Sequence, residues 1–163
     1  MRNVILSLGS NIQDRKQYLN FGLNSIAQTI GKITKISSIY ETEPIGFDCD
    51  TNFYNICISV QSNINPEEIL NQLEKIEWAS GRNSKSKNKN YQPRTLDIDI
   101  IHIENIKLHT ERLTIPHPSF KQRKFVLLPL LEICPDFIDE TTQKTIAQIL
   151  KECVDNSWVN RLN

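Results

Sequence analysis

Leu96-Asp97-Ile98-Asp99-Ile100-Ile101 alternates apolar and acidic side chains and closes on two isoleucines. Successive side chains of a strand point to opposite faces, so this period of two predicts a strand over 96–103, with Ile98 and Ile100 in a core and Asp97 and Asp99 sharing the other face. Their α-carbons then lie roughly 6–7 Å apart. Two carboxylates at that spacing can converge on cations about 3.5–4 Å apart, as in two-metal sites. Oxygen donors without a soft ligand beside them favour a hard cation, magnesium where the substrate is a phosphate. The solvated face of an edge strand would carry the same pattern, and the flanks argue against that plainer reading. Arg94 stands three residues before Asp97, and Pro93 fixes the approach of the chain. Carboxylates, arginines and a basic loop together make a phosphate site with its own counter-ions.

The basic loop lies immediately upstream. Residues 82–94 hold five cations (Arg82, Lys85, Lys87, Lys89 and Arg94), no acid, and no aliphatic residue before Pro93. Such a segment cannot pack into a core, so a solvated, mobile loop is expected, and its function would be that of a lid over a triphosphate. Downstream, residues 112–124 carry Arg112, His117, Lys121, Arg123 and Lys124, again without an acid. His117 sits between Pro116 and Pro118, which stiffen its backbone. A histidine presented this way, near arginines, suits donating a hydrogen bond to an anion. His102 and His109 have no such setting and receive no role. Neither a P-loop spacing nor G-x-G-x-x-G is present, so nucleotide binding would rest on arginines and metal ions.

Working outward, residues 4–8 read as a buried strand ending in a turn at Gly9-Ser10-Asn11. Residues 15–30 follow a helical period with Leu19, Leu23, Ile26, Ala27 and Ile30 on one face. Residues 33–40 and 53–60 are β-branched and aromatic and read as strands, joined by a long loop over 41–52. Asn65, Pro66 and Glu68 open a second helix with a box-like cap, its apolar face being Ile69, Leu70, Leu73 and Ile76. The 96–103 strand is expected to form a ribbon with 107–115. A short apolar helix follows over 125–133, and Thr145-Ile146-Ala147-Gln148 opens a last helix with a capping box. The order βα, ββ, αβ lays two helices on one face of an antiparallel sheet, an α+β architecture in a single domain over 1–163.

Composition narrows the class. The 163 residues carry 19 cations against 19 anions, so any electrostatic specialisation is local, and the basic excess of a whole-surface nucleic-acid or membrane binder is missing. No stretch approaches the ~20 apolar residues of a membrane span, and no signal-peptide pattern opens the chain. Four cysteines without C-x-x-C spacing read as free thiols in a reducing cytoplasm.

Gln92-Pro93-Arg94-Thr95-Leu96-Asp97-Ile98-Asp99-Ile100-Ile101 resembles the signature of the 6-hydroxymethyl-7,8-dihydropterin pyrophosphokinases, and other segments match that family in the same order. These are Leu8-Gly9-Ser10-Asn11, Tyr40-Glu41-Thr42-Glu43-Pro44-Ile45-Gly46, Phe53-Tyr54-Asn55, Gly81-Arg82, Glu111-Arg112-Leu113-Thr114-Ile115-Pro116-His117-Pro118 and Arg123-Lys124-Phe125. The resemblance implies a ferredoxin-like α+β sandwich and transfer of pyrophosphate from ATP to the pterin's hydroxymethyl group in folate biosynthesis. It implies that Asp97 and Asp99 hold two magnesium ions, with Arg82 and Arg94 the catalytic cations. Lys85, Ile100, Arg112, Thr114, His117 and Arg123 fall on the ATP side. Thr42, Pro44, Ile45, Phe53, Asn55, Tyr91 and Phe125 fall on the pterin side, Phe53 and Phe125 stacking on the ring. Glu77 matches an acid near the site. Tyr91, Gln92 and Ser84 depart from common family residues, which bears on lid closure and leaves the reaction class intact. The implied partners are ATP and the pterin, with a neighbouring folate-pathway enzyme a further candidate and neither nucleic acid nor membrane expected. Two rivals stay open at this point. One is another magnesium-dependent phosphoryl or nucleotidyl transferase; the other is a ferredoxin-like RNA-binding module, although the basic aromatic pattern of the latter is missing.

Overall fold

The computed structural model describes residues 1–44, 51–81 and 95–162. In chain order the elements are β1 (Arg2–Ser10), α1 (Arg15–Thr29), β2 (Lys32–Ile36), β3 (Tyr40–Thr42), β4 (Phe53–Ser62), α2 (Pro66–Ala79), β5 (Asp97–Ile103), β6 (Leu108–His109), β7 (Thr114–Ile115), α3 (Lys124–Ile133), β8 (Ile138–Asp139), β9 (Lys144–Thr145), α4 (Ile146–Glu152) and β10 (Val159–Arg161). The main sheet runs β10-β3-β4-β1-β5, with β2 also on β4, and its pairings are antiparallel.

The central strand β1 runs past the expected turn. Gly9 and Ser10 are in the ladder, Gly9 between Asn55 and Asp97 and Ser10 opposite Tyr54. Two flanking strands thus override the turn preference of Gly-Ser-Asn. Val4, Leu6 and Leu8 face a core with α1 and α2, whereas Ile5 faces a second core with α3 and α4. Helices therefore cover both faces of the sheet. The order of elements read from the sequence accounts for the α1–α2 face, and α3 and α4 close the opposite one over part of its length.

Local signals set most boundaries. The Asp14 side chain caps α1 by accepting from Gln17 N, and Asn65 caps α2 by accepting from Glu68 N. The Glu68 carboxylate accepts from Gln72 and Asn71 at the next turn, so the box is one-sided. Gly81, at φ 95°, stops α2 where a side chain would be strained. The Thr145–Gln148 capping box at α4 is complete. On α1, Leu19, Ile26 and Ile30 are buried, but Ala27 is exposed, one residue off the stripe.

The single strand expected over 33–40 is two strands. Between them, Ser37 N donates to Cys57 O at 2.9 Å while Ser37 Oγ accepts from Cys57 N at 3.0 Å. A side-chain oxygen replaces a backbone carbonyl in the ladder, which frees residues 38 and 39 from the register and lets β3 restart beside Asn55. The expected ribbon between 96–103 and 107–115 also resolves differently. β5 pairs with β1, and β6 pairs with β7 in a small sheet of its own, docked through His117 N donating to Ile101 O. Cys57, Cys134 and Cys153 are free thiols, and burial pushes Cys57 and Cys134 upward, which keeps them protonated.

Candidate active site

The site grows from the part of the second sheet face that α3 and α4 leave uncovered. Residues directly opposite on antiparallel strands share a face, so the registers line up rows across the sheet. One row reads Tyr40, Asn55, Gly9, Asp97; the next reads Cys57, Ser7, Asp99. Thr42 lies opposite Phe53 beside the first row. Asp97 and Asp99 therefore do share a face, as their spacing predicts, and that face is polar beside the start of α3 and apolar where Ile5, Cys57 and Ile101 pack against α3 and α4.

Alternation fails once along β5. The register against β1 slips between Ile5 and Leu6, leaving Ile101 as an extra residue between Ile100 and His102. Ile100 enters the α1–α2 core, Ile101 the α3–α4 core, and Ile103 the α1–α2 core again. Ile100 as a whole residue is only 4% exposed, its side chain packed into the α1–α2 core. Glu77, also buried, places one carboxylate oxygen 2.8 Å from Ile98 N, the amide between the two aspartates. That contact gives the site-proximal acid a role: it holds the strand that carries the pair.

Around Asp99 two nitrogen donors converge. Arg123 Nη1 donates to Asp99 Oδ2 at 3.1 Å, and His117 Nε2 stands 3.9 Å from the same oxygen. His117 Nδ1 accepts from Ser119 N at 3.1 Å, which leaves the proton of the neutral ring on Nε2, facing Asp99. Burial holds the His117 pKa below its usual value, against the pull of Asp99 and with the help of Arg123. At neutral pH this histidine is a directed hydrogen-bond donor. Arg123 also lies over the Phe125 ring, 5.9 Å from its centre.

On the row of Gly9, Asn55 and Thr42 are buried, and Asn55 Nδ2 donates to Thr42 Oγ1 at 3.0 Å. The Asn55 carbonyl oxygen hangs over Gly9, where a β-carbon would come within 2.9 Å of it. Gly9 thus keeps the floor between Asn55 and Asp97 open, and a flat molecule can lie there. Arg15 braces this side from α1: it donates to Asn52 O at 2.7 Å, pairs with Glu41 at 3.2 Å, and stacks 3.7 Å from the Tyr54 ring centre. The other residues of the cationic segment are held away from Asp99. Arg112 reaches Asn71 and Glu74 on α2, Lys121 pairs with Asp139 at 2.9 Å, and Lys124 turns to Ser157 O. Thr114 meets His109 Nδ1 at 3.1 Å. His109, Thr114 and His117 line an open cavity of about 400 Å³ together with Lys107 and Lys121, so His109, which the sequence leaves without a role, belongs to the site's surroundings. Its signal is the β6–β7 pairing, which sequence spacing does not carry. Pro44 follows β3 and is half-buried. Ile45, Arg82, Lys85, Tyr91 and Arg94 lie outside the described residues.

Comparison with known proteins gives a consistent result. The family model described as 7,8-dihydro-6-hydroxymethylpterin-pyrophosphokinase matches residues 5–135. The chain is 38% identical over 144 residues to the 2-amino-4-hydroxy-6-hydroxymethyldihydropteridine pyrophosphokinase of Bacillus subtilis, covering 87% of this chain and 84% of that protein. It is 34% identical over 152 residues to the enzyme of the same description from Aquifex aeolicus, covering 93% and 92%. Among solved structures, wild-type Plasmodium falciparum HPPK-DHPS superposes with a TM-score of 0.72 at 18% identity, over 93% of this chain but 43% of that longer one, a likeness of fold.

Proposed function

The chain belongs to the 7,8-dihydro-6-hydroxymethylpterin-pyrophosphokinase family, and from that premise we propose how its own residues carry the reaction. The reaction is transfer of a pyrophosphoryl group from ATP to 6-hydroxymethyl-7,8-dihydropterin in folate biosynthesis. The hydroxymethyl oxygen attacks the β-phosphorus, the bond from that phosphorus to the oxygen bridging the α-phosphorus breaks, and AMP leaves with the bridging oxygen. Chemistry of this kind asks the protein to position groups and neutralise charge.

The observation that carries the reading is the join at Asp99. One carboxylate row runs beside an open floor at Gly9, and Asp99 gathers Arg123 and His117 at its edge. The pterin lies on the Asn55–Gly9 floor, stacked by Phe53 and Phe125, with Thr42, Asn55 and the segment through Pro44 and Ile45 reading its edge and Tyr91 covering it. Arg123, and the Nε2–H of His117, donate to phosphate oxygens. Arg112, Thr114, Lys85 and Ile100 take the rest of the nucleotide. Arg82 and Arg94 supply charge to the transition state. Asp97, in the row of Asn55, is the carboxylate this chain offers to the departing hydroxyl proton.

Asp97 and Asp99 suit a hard cation, because their donors are oxygens and both side chains are partly exposed. Among the described residues no group of three His, Cys, Asp or Glu side chains makes a closed metal cage, so further ligands would come from ATP and solvent, the usual habit of magnesium at phosphates. Two bound magnesium ions would neutralise phosphate charge and polarise the attacking oxygen.

We take residues 1–163 as one catalytic domain, with a cytoplasmic setting where ATP is at hand. Among the described residues no helix is long and apolar enough to cross a membrane. A neighbouring folate-pathway enzyme is the expected protein partner, a reading supported by the longer HPPK-DHPS chain. The experiment is direct: mix the protein with ATP, magnesium and 6-hydroxymethyl-7,8-dihydropterin and follow AMP. Stoichiometric AMP and pterin pyrophosphate are expected. ADP in place of AMP, or no pterin dependence, refutes the assignment.

A further inference from the structure

The C-terminal segment lies beyond the residues that the family model matches, which end at 135, yet it is bonded to both sides of the cleft. After α4, residues 153–162 pass the start of α3 and finish as β10, paired with β3 through Val159–Thr42, Asn160–Glu41 and Arg161–Tyr40. Leu162 N extends this pairing to Ile39 O, and Trp158 N donates to Glu43 Oε1 at 2.8 Å. These contacts fix the strand that carries Thr42 and leads to Pro44.

At the other side, α3 lacks a cap of its own. Arg123 occupies its N-cap position and makes no side-chain cap bond. Asp155 supplies the missing acceptor from 31 residues downstream, taking the Lys124 N–H at 2.8 Å on one oxygen and Ser157 N at 2.9 Å on the other. A carboxylate suits this place, because the first N–H groups of a helix have no partner within it and carry the positive end of its dipole. Lys124 is gripped a second time, its Nζ donating to Ser157 O at 3.4 Å. Lys124 stands between Arg123, which reaches Asp99, and Phe125, whose ring lies under the Arg123 guanidinium. One residue held at both its amide and its ammonium group thus sets the direction of the two side chains beside it.

We propose that residues 153–162 form a strap that fixes the width of the pterin cleft, with Asp155 the positioning residue that orients Arg123 and Phe125. The strap joins the β3 wall to the α3 wall through its own backbone. The inference rests on the pterin-side assignment of Thr42 and Phe125 made above. Losing Asp155 frees the first turn of α3 to fray, and Phe125 then meets the ring over a wider range of positions.

The test uses the full chain and four variants. Asp155→Ala is expected to raise the pterin KM five- to tenfold with kcat within about threefold of wild type. Asp155→Asn, which keeps one acceptor at the helix start, is expected to return the KM to within twofold. Gln148→Ala breaks the capping box of α4 and reaches neither wall, so it lowers Tm without moving the pterin KM. Phe125→Ala reports on the underlying assignment and is expected to raise the pterin KM at least tenfold. If Asp155→Ala lowers only Tm, as Gln148→Ala does, while Phe125→Ala raises the KM, the strap is overturned and the pterin assignment stands. If Phe125→Ala leaves the KM unchanged, the assignment falls and the strap's role falls with it.

Discussion

Asp99 faces a guanidinium and an imidazole N–H on one oxygen, and it is itself one of the pair we propose as magnesium ligands. The Asp99 and Arg123 side chains are 35% and 26% exposed, so their mutual attraction is screened and contributes at most about 1 kcal/mol to stability. Asp97→Ala and Asp99→Ala should therefore fold, with Tm within a few degrees of wild type, while turnover falls at least ~100-fold, the scale of losing a preorganised charge contact. A steady-state assay across a magnesium titration checks both; turnover near wild type in either variant refutes its place as a ligand. Gly9 gives a second prediction at this scale. A β-carbon there would meet Asn55 Oδ1 at 2.9 Å, and that amide must then swing away from Thr42 or from the floor. Gly9→Ala should weaken pterin binding about tenfold, or roughly 1.4 kcal/mol, with ATP binding little changed. Calorimetry with each ligand separately decides it, and equal losses for both ligands would contradict the placement.

Strands here are shaped by single residues that break their own regularity. Ser37 ends β2 by replacing a carbonyl in the ladder, and the next strand can begin beside Asn55 only because the register has been released. Ser37→Ala leaves the Cys57 amide buried without its acceptor, which costs about 1–3 kcal/mol. Urea denaturation should show that loss as a lower midpoint at unchanged slope. The extra residue at Ile101 does comparable work in β5. It leaves Ile101 and His102 both on the α3–α4 side and returns Ile103 to the α1–α2 core, so both sheet faces close just beyond the acidic pair. Period-two reading placed Asp97 and Asp99 correctly, because the slip lies downstream of them.

Across the molecule, a buried acid distant from both aspartates in sequence ties β8 to the segment that precedes α3. Asp139 has no exposed surface, and its Oδ2 accepts from Lys121 Nζ at 2.9 Å, Thr142 N at 3.0 Å and Thr142 Oγ1 at 2.7 Å. Burial alone would raise its pKa, but the Thr142 and Lys121 bonds outweigh that and hold it below the usual carboxylate value. A depressed folded-state pKa means stability that is complete above the unfolded value, about 3.9, and lost as pH falls through the folded one. Asp139→Asn should destabilise by about 2–3 kcal/mol at pH 7, the partial solvation of Lys121 keeping it below the cost of breaking a fully buried pair. The gap between wild type and variant should stay constant from pH 7 to pH 5 and narrow below about pH 4. Denaturation curves at a series of pH values test this, and a gap that widens in acid would mean the acid is not ionised in the fold.

What the sequence determined by itself was whatever depends on near neighbours in the chain. Alternation at 96–100 put two carboxylates on one face, and caps at Asn65 and Thr145 opened helices where they were expected. Apolar stripes named most of the first core, and the order of elements gave the α+β class. Tertiary structure alone decided the rest. The Gly9 turn became strand because β4 and β5 satisfy its amide groups, a pairing between residues far apart in sequence. Arg112, Lys121, Arg123 and Lys124 read as one basic segment, yet three are led off to Glu74, Asp139 and Ser157 and Arg123 alone reaches Asp99. Composition counts charges, but the partner each charge finds depends on which distant backbone comes within hydrogen-bond reach, and only the folded chain brings those backbones together.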